Sequence, residues 1–163
     1  MVASPAPAGD ESSPVASDEP LIRRYAPEPP YFAGKPLAIP RFSALIPNSG
    51  DEDGLSLNRE RLCSAERQRS AAKSQNVREH GGVFAMIAQW LFDLKLDITP
   101  DPTDVPGHVY VPQMGQQKYA TREGKKQIKD WADKLVRLVA EHGLNRILPT
   151  QPPPPIPAPP STT

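Results

Sequence analysis

Apolar residues come in short runs along this chain, broken by proline and glycine, and the spacing inside each run sets the expected element. Residues 21–25, Leu-Ile-Arg-Arg-Tyr, read as a short strand closed by Pro27, Pro29 and Pro30. Residues 31–47 alternate loosely between prolines and apolar side chains, with Phe32, Ile39, Phe42 and Leu45 among them. An irregular segment with one edge strand is expected there. A turn-rich acidic loop over 48–54 leads into a strand ending at Leu57. Asn58 is a good N-cap and Glu60 suits a first turn, so 59–73 is expected to be helical. That helix has a thin apolar face of Leu62, Cys63, Ala65, Ala71 and Ala72.

Residues 83–99 support two readings. Val83, Phe84, Ile87, Trp90, Leu91 and Leu94 recur at helical spacing and fit one helix. Gly81-Gly82 before an apolar run fits instead a buried strand, then a short helix over 88–95 and a second strand over 96–99. Residues 107–111, Gly-His-Val-Tyr-Val, form a clean strand pattern. Thr121 caps the strongest helix, 122–142, whose stripe is Ile128, Trp131, Ala132, Leu135, Leu138 and Val139, with Gly143 as its stop. A final strand is expected within 145–148. The pattern predicts an α+β fold: a small mixed sheet of about five short strands with two packed helices.

Proline changes the domain boundaries. Of 22 prolines, nine lie in residues 1–40 and seven in 152–160, where they are incompatible with helix or central strand. One globular domain is therefore expected over 21–150, between an acidic, proline-containing disordered arm, 1–20, and a proline-rich disordered tail, 151–163. Charge is balanced, with 19 basic and 19 acidic residues, which argues against a dedicated nucleic-acid binder. A single cysteine, Cys63, can make neither an internal disulfide nor a paired-cysteine metal site. The sequence carries no secretory leader pattern and no apolar run long enough to span a bilayer, so a cytoplasmic location is expected.

Candidate chemistry is sparse. His108 follows a rigid two-proline loop, and with Asp101 or Asp104 it fits a general base and its orienting carboxylate. The alternative is a strand-end histidine bonded to the loop backbone. Arg23, Ser56 and Arg59 are candidates for holding an anionic substrate. Arg23 and Arg24 fit equally an exposed sheet edge. Lys125, Lys126 and Lys129 line one face of the long helix and suit either solvent or an acidic partner. Pro152 and Pro155 give the PxxP spacing of a ligand for an aromatic groove, although composition alone favours a simple spacer. No phosphate-loop, dinucleotide, zinc-protease or nucleophile-elbow motif occurs, so no metal or cofactor is expected.

The order of Arg23-Arg24-Tyr25, Leu55-Ser56-Leu57-Asn58-Arg59, Gly82-Val83-Phe84, the run 94–102 and Pro106-Gly107-His108-Val109 resembles a group of small uncharacterised bacterial proteins. The resemblance covers roughly residues 21–112 and brings no activity with it. It implies the strand–helix–strand reading of 83–99 and singles out Ser56, Arg59, Asp101 and His108. Without a catalytic motif, the leading expectation is an accessory, protein-binding component of a bacterial multi-component system. The alternatives are a small enzyme acting on a nucleotide or nucleic acid through His108, and an RNA-binding module using Tyr110 and Tyr119.

Overall fold

The computed structural model describes residues 12–26, 32–33, 39–40, 42–47, 51, 53–101 and 106–149. Asp104, Pro152 and Pro155 lie outside the described residues. The fold is α+β. Its strands are β1 (Pro20–Tyr25), β2 (Phe32–Ala33), β3 (Ile39–Pro40), β4 (Leu55–Arg59), β5 (Gly82–Ile87), β6 (Thr99–Pro100), β7 (His108–Val111) and β8 (Asn145–Ile147). Its α-helices are α1 (Ala65–Ser70), α2 (Gln75–His80), α3 (Ala88–Asp93), α4 (Gln116–Tyr119) and α5 (Arg122–His142).

Six strands form one sheet in the order β6-β7-β4-β1-β5-β8, and β2 pairs with β3 separately. Every described pairing is antiparallel, so the sheet is not the mixed one expected. Strand alternation sorts its two faces. Leu21, Leu55, Leu57, Phe84, Met86, Val109 and Val111 are fully buried in the main core, which they share with Ile128, Ala132, Leu135 and Val139 of α5. The opposite face carries Ile22, Val83 and Ala85, a smaller cluster packed by Ala65, Leu144 and Ile147. Towards β7 that second face turns polar, with Asn58, Ser56, His108 and Tyr110.

Several boundaries differ from expectation for physical reasons. The long helix is as predicted: Thr121 accepts from the Gly124 amide, and Gly143 closes the helix at φ 64°. Residues 83–99 follow the strand–helix–strand reading. Asn58 does not cap a helix, because β4 runs on through Arg59. The next helix instead starts at Ser64, whose side chain accepts from Arg67 N, and is only six residues long. Part of the arm expected to be disordered over 1–20 packs on the fold: the carbonyls of Ser13 and Pro14 accept from Arg59, Val15 and Glu19 are buried, and β1 begins at Pro20. β1 is also no exposed edge. It lies between β4 and β5 at the centre of the sheet.

Candidate functional site

In the β4–β7 ladder Ser56 stands opposite Tyr110 and Asn58 opposite His108. Ser56 and His108 are therefore diagonal neighbours on the polar face, a separation that an imidazole spans. His108 Nε2 lies 3.1 Å from Ser56 Oγ. On the other side of the ring, Nδ1 is 3.2 Å from both the backbone oxygen and a carboxylate oxygen of Asp101. Asp101 is delivered by the β6–β7 pairing, which its amide extends by donating to His108 O at 2.9 Å. Gly107, at φ 74°, makes the turn into β7, and a side chain there would press on Arg59 and Leu62.

These contacts assign the tautomer. Nδ1 faces two acceptors, so it carries the proton and donates. Nε2 is then the bare nitrogen, and Ser56 Oγ–H donates to it. Ser56 and His108 thus form a directed hydrogen bond whose far side donates to the Asp101 backbone oxygen, as a strand-end histidine bonded to the loop would, with the Asp101 carboxylate also 3.2 Å from Nδ1; the histidine is 19% exposed and the carboxylate 46%.

The main chain of Ser56 is held with equal care. The β1–β4 pairing ends at Ile22 and Asn58, leaving Ser56 N and O without ladder partners from β1. A buried ion pair takes their place. Ser56 N donates to Asp51 Oδ1 at 2.9 Å, and Arg23 Nη1 donates to Ser56 O at 2.9 Å. Arg23 and Asp51 meet at 3.2 Å, with side-chain exposures of 9% and 2%. Arg23 Nε also donates to Ala44 O at 2.7 Å.

Arg59, at the other end of β4, is 1% exposed and makes a two-pronged contact with Glu19, at 2.6 and 2.9 Å. It also donates to the carbonyls of Ser13 and Pro14. Arg61 adds a bond to Glu19 at 3.0 Å. Burial alone would raise the Glu19 pKa, but the hydrogen bonds and charge of Arg59, with Arg61, outweigh it and hold the carboxyl below its usual range. Arg23 and Arg59 are thus committed to the chain's own carboxylates on the α5 side of the sheet. Of the two, Arg23 reaches the main chain of Ser56, and Arg59 lies at the far end of β4.

Arg24 points the other way along β1, to the face of Ser56. It is half-buried, and its Nη1 donates to Gln68 O of α1 at 2.9 Å. Gln68 donates from Nε2 to Asn58 Oδ1 at 3.1 Å, and Asn58 donates to Pro106 O at 3.1 Å. Gln68 Oε1 is buried with no hydrogen-bond partner.

The remaining candidates lie elsewhere. Lys125, Lys126 and Lys129 are exposed on α5, and the Lys125 ammonium sits 5.3 Å from the centre of the Tyr119 ring. Cys63 is buried and burial pushes its thiol pKa up, which makes it a poor nucleophile. Among the described residues no three His, Cys, Asp or Glu side chains gather as metal ligands would, and no helix is long and apolar enough to cross a membrane. Sequence reasoning missed Asp51, Asn58 and Gln68. Asp51 lies in a run of acids that reads as a solvated loop, and nothing local marks it as the buried one. No protein-family model matches the chain, and neither does any curated protein or solved structure.

Proposed function

We propose that this chain is a small enzyme that transfers acyl groups to water through a nucleophilic Ser56. The supporting observation is the hydrogen bond of 3.1 Å between Ser56 Oγ and His108 Nε2, with the Asp101 carboxylate 3.2 Å from Nδ1 on the other side of the ring. Such a constellation is recognised by geometry and roles rather than by sequence order or fold. Ser56 Oγ attacks the acyl carbon while its proton passes to His108 Nε2. The bond to the leaving oxygen breaks, and that oxygen takes the proton back from Nε2. Water then attacks the acyl-serine, again losing a proton to Nε2, and the acid leaves as Ser56 Oγ recovers its proton. Asp101 steadies the imidazolium formed in each half-reaction. Ser56 sits in a strand whose main chain is pinned by Arg23 and Asp51, so the nucleophile is pre-positioned on a rigid element.

The experiment is turnover of activated esters, with 4-nitrophenyl acetate as the first probe. Ser56→Ala and His108→Ala are each expected to lower kcat/KM by at least about 100-fold, within the range typical of general-base and nucleophile loss. Equal turnover by wild type and Ser56→Ala would defeat the reading.

A second reading, protein binding in an accessory role, is supported by a groove between α3 and α5. It has a volume of about 340 Å³ and is lined by Trp90, Leu94 and Leu138, with Asp93, Lys134 and Arg137 at its polar positions. Apolar lining with a few charged groups suits a peptide segment. The serine–histidine chain makes a more specific chemical demand, and the acyl-transfer reading leads on that ground.

A further inference from the structure

We propose that Arg24 binds an anionic group of the substrate, a carboxylate or a phosphate, beside the acyl carbon that Ser56 attacks. This rests on the acyl-transfer reading of Ser56 and names its substrate class. Ile22 pairs with Asn58, and alternation along the two strands sets Arg24 on the same face as Ser56, two residues beyond the last paired position of each strand. The guanidinium is anchored at one corner only, by its bond to Gln68 O. Among the described residues, Arg23, Arg59, Arg61, Arg137 and Arg146 each meet a carboxylate, and Arg24 meets none, as is also true of Arg67, Arg69, Arg78 and Arg122 outside β1.

Arg24 is half-buried and the charge of Asp51 compensates it only in part, so an incoming anion offsets some of the cost of its burial. Burial, with Arg23 next to it, already weakens the hold of Arg24 on its proton. The free edge of a guanidinium offers two parallel N–H donors, which match the oxygens of a carboxylate or phosphate. Beside it, Gln68 is 6% exposed and leaves Oε1 without a donor.

The test uses the full chain and two esters of similar size, 4-nitrophenyl butyrate and the anionic mono-4-nitrophenyl ester of succinate. Wild type is expected to prefer the anionic ester. In Arg24→Gln the ratio of kcat/KM values, anionic over neutral, is expected to fall roughly 10- to 100-fold, the loss of a charge-assisted hydrogen bond. Arg24→Lys should recover part of that ratio. A structural tie between β1 and α1 would lower both esters in step and leave the ratio in place, which would overturn the proposal.

A second measurement does not depend on turnover. Glutarate and inorganic phosphate are titrated separately into 15N-labelled protein while the arginine Nε–Hε resonances are followed. Saturable shifts in wild type that vanish in Arg24→Gln support the anion site, and the more effective titrant identifies the oxyanion. Should neither ester turn over, such shifts would uphold the anion site and remove the hydrolase. Identical titrations of wild type and Arg24→Gln would overturn the anion site whatever the esters do.

Discussion

Glu19 is the residue on which the entry of the chain into the sheet depends. Its carboxylate binds Arg59 and Arg61, and the same Arg59 holds the carbonyls of Ser13 and Pro14. Removing one partner of a buried ion pair strands the other, at a cost of about 3–5 kcal/mol. Glu19→Gln is therefore expected to lower the neutral-pH unfolding free energy by an amount of that order, measured by urea denaturation. The pH dependence has a definite sign. The folded Glu19 pKa lies below its ordinary value of 4.5, so its contribution is fully present above that pH and is lost as pH falls through the folded value. The gap between wild type and Glu19→Gln should close on acidification below about pH 4.5. A constant gap would show that Glu19 acts without its charge. Arg23 and Asp51 work in the same way but hold a different object, the main chain of Ser56. The inward aim of Arg23 and Arg59 was legible in principle. Each stands two residues beyond a buried leucine, Leu21 and Leu57, and so shares its face. The sequence leaves Arg23 open between a cleft and a sheet edge and places Arg59 in a helix, because their partners, Asp51 and Glu19, lie 28 and 40 residues away.

Among the elements, β4 and α5 show how far pattern carries. The stripe of α5, its Thr121 cap and its Gly143 stop were legible because helical order is local and repeats every few residues. The end of β4 was not, because Asn58 is as good a cap as a strand residue and only pairing with His108 decides between them. Gly124 is a sharper case. In a helix first turn a glycine reads as a small loss, and replacing it with alanine should gain up to about 1 kcal/mol by propensity. In the fold Gly124 is buried against the end of α4, where an added Cβ would lie 2.0 Å from Lys118 O. Gly124→Ala is thus expected to destabilise, by about 1–3 kcal/mol as for other overpacked sites, with a lowered thermal midpoint. A rise in the midpoint would mean that α4 moves aside freely.

For the whole molecule, the sheet divides the labour. One face joins α5 to make the core; the other, apolar under α1, becomes polar towards β7 and carries Ser56, His108 and Arg24. The α+β class was legible because strand and helix periods alternate along the chain. The antiparallel order β6-β7-β4-β1-β5-β8 was not, since register between residues up to 67 positions apart leaves no local mark. The candidate site was half legible: His108 and Asp101 stand near each other in sequence, while Ser56 arrives only through the β4–β7 register, 52 residues from His108. The central claim is that this register makes Ser56 a nucleophile. The most direct measurement is intact mass after reaction with a fluorophosphonate, followed by peptide mapping, on wild type, Ser56→Ala and His108→Ala. The account predicts a single adduct on Ser56 in wild type and none in either variant. No adduct, an adduct on another serine, or full labelling of His108→Ala would contradict it.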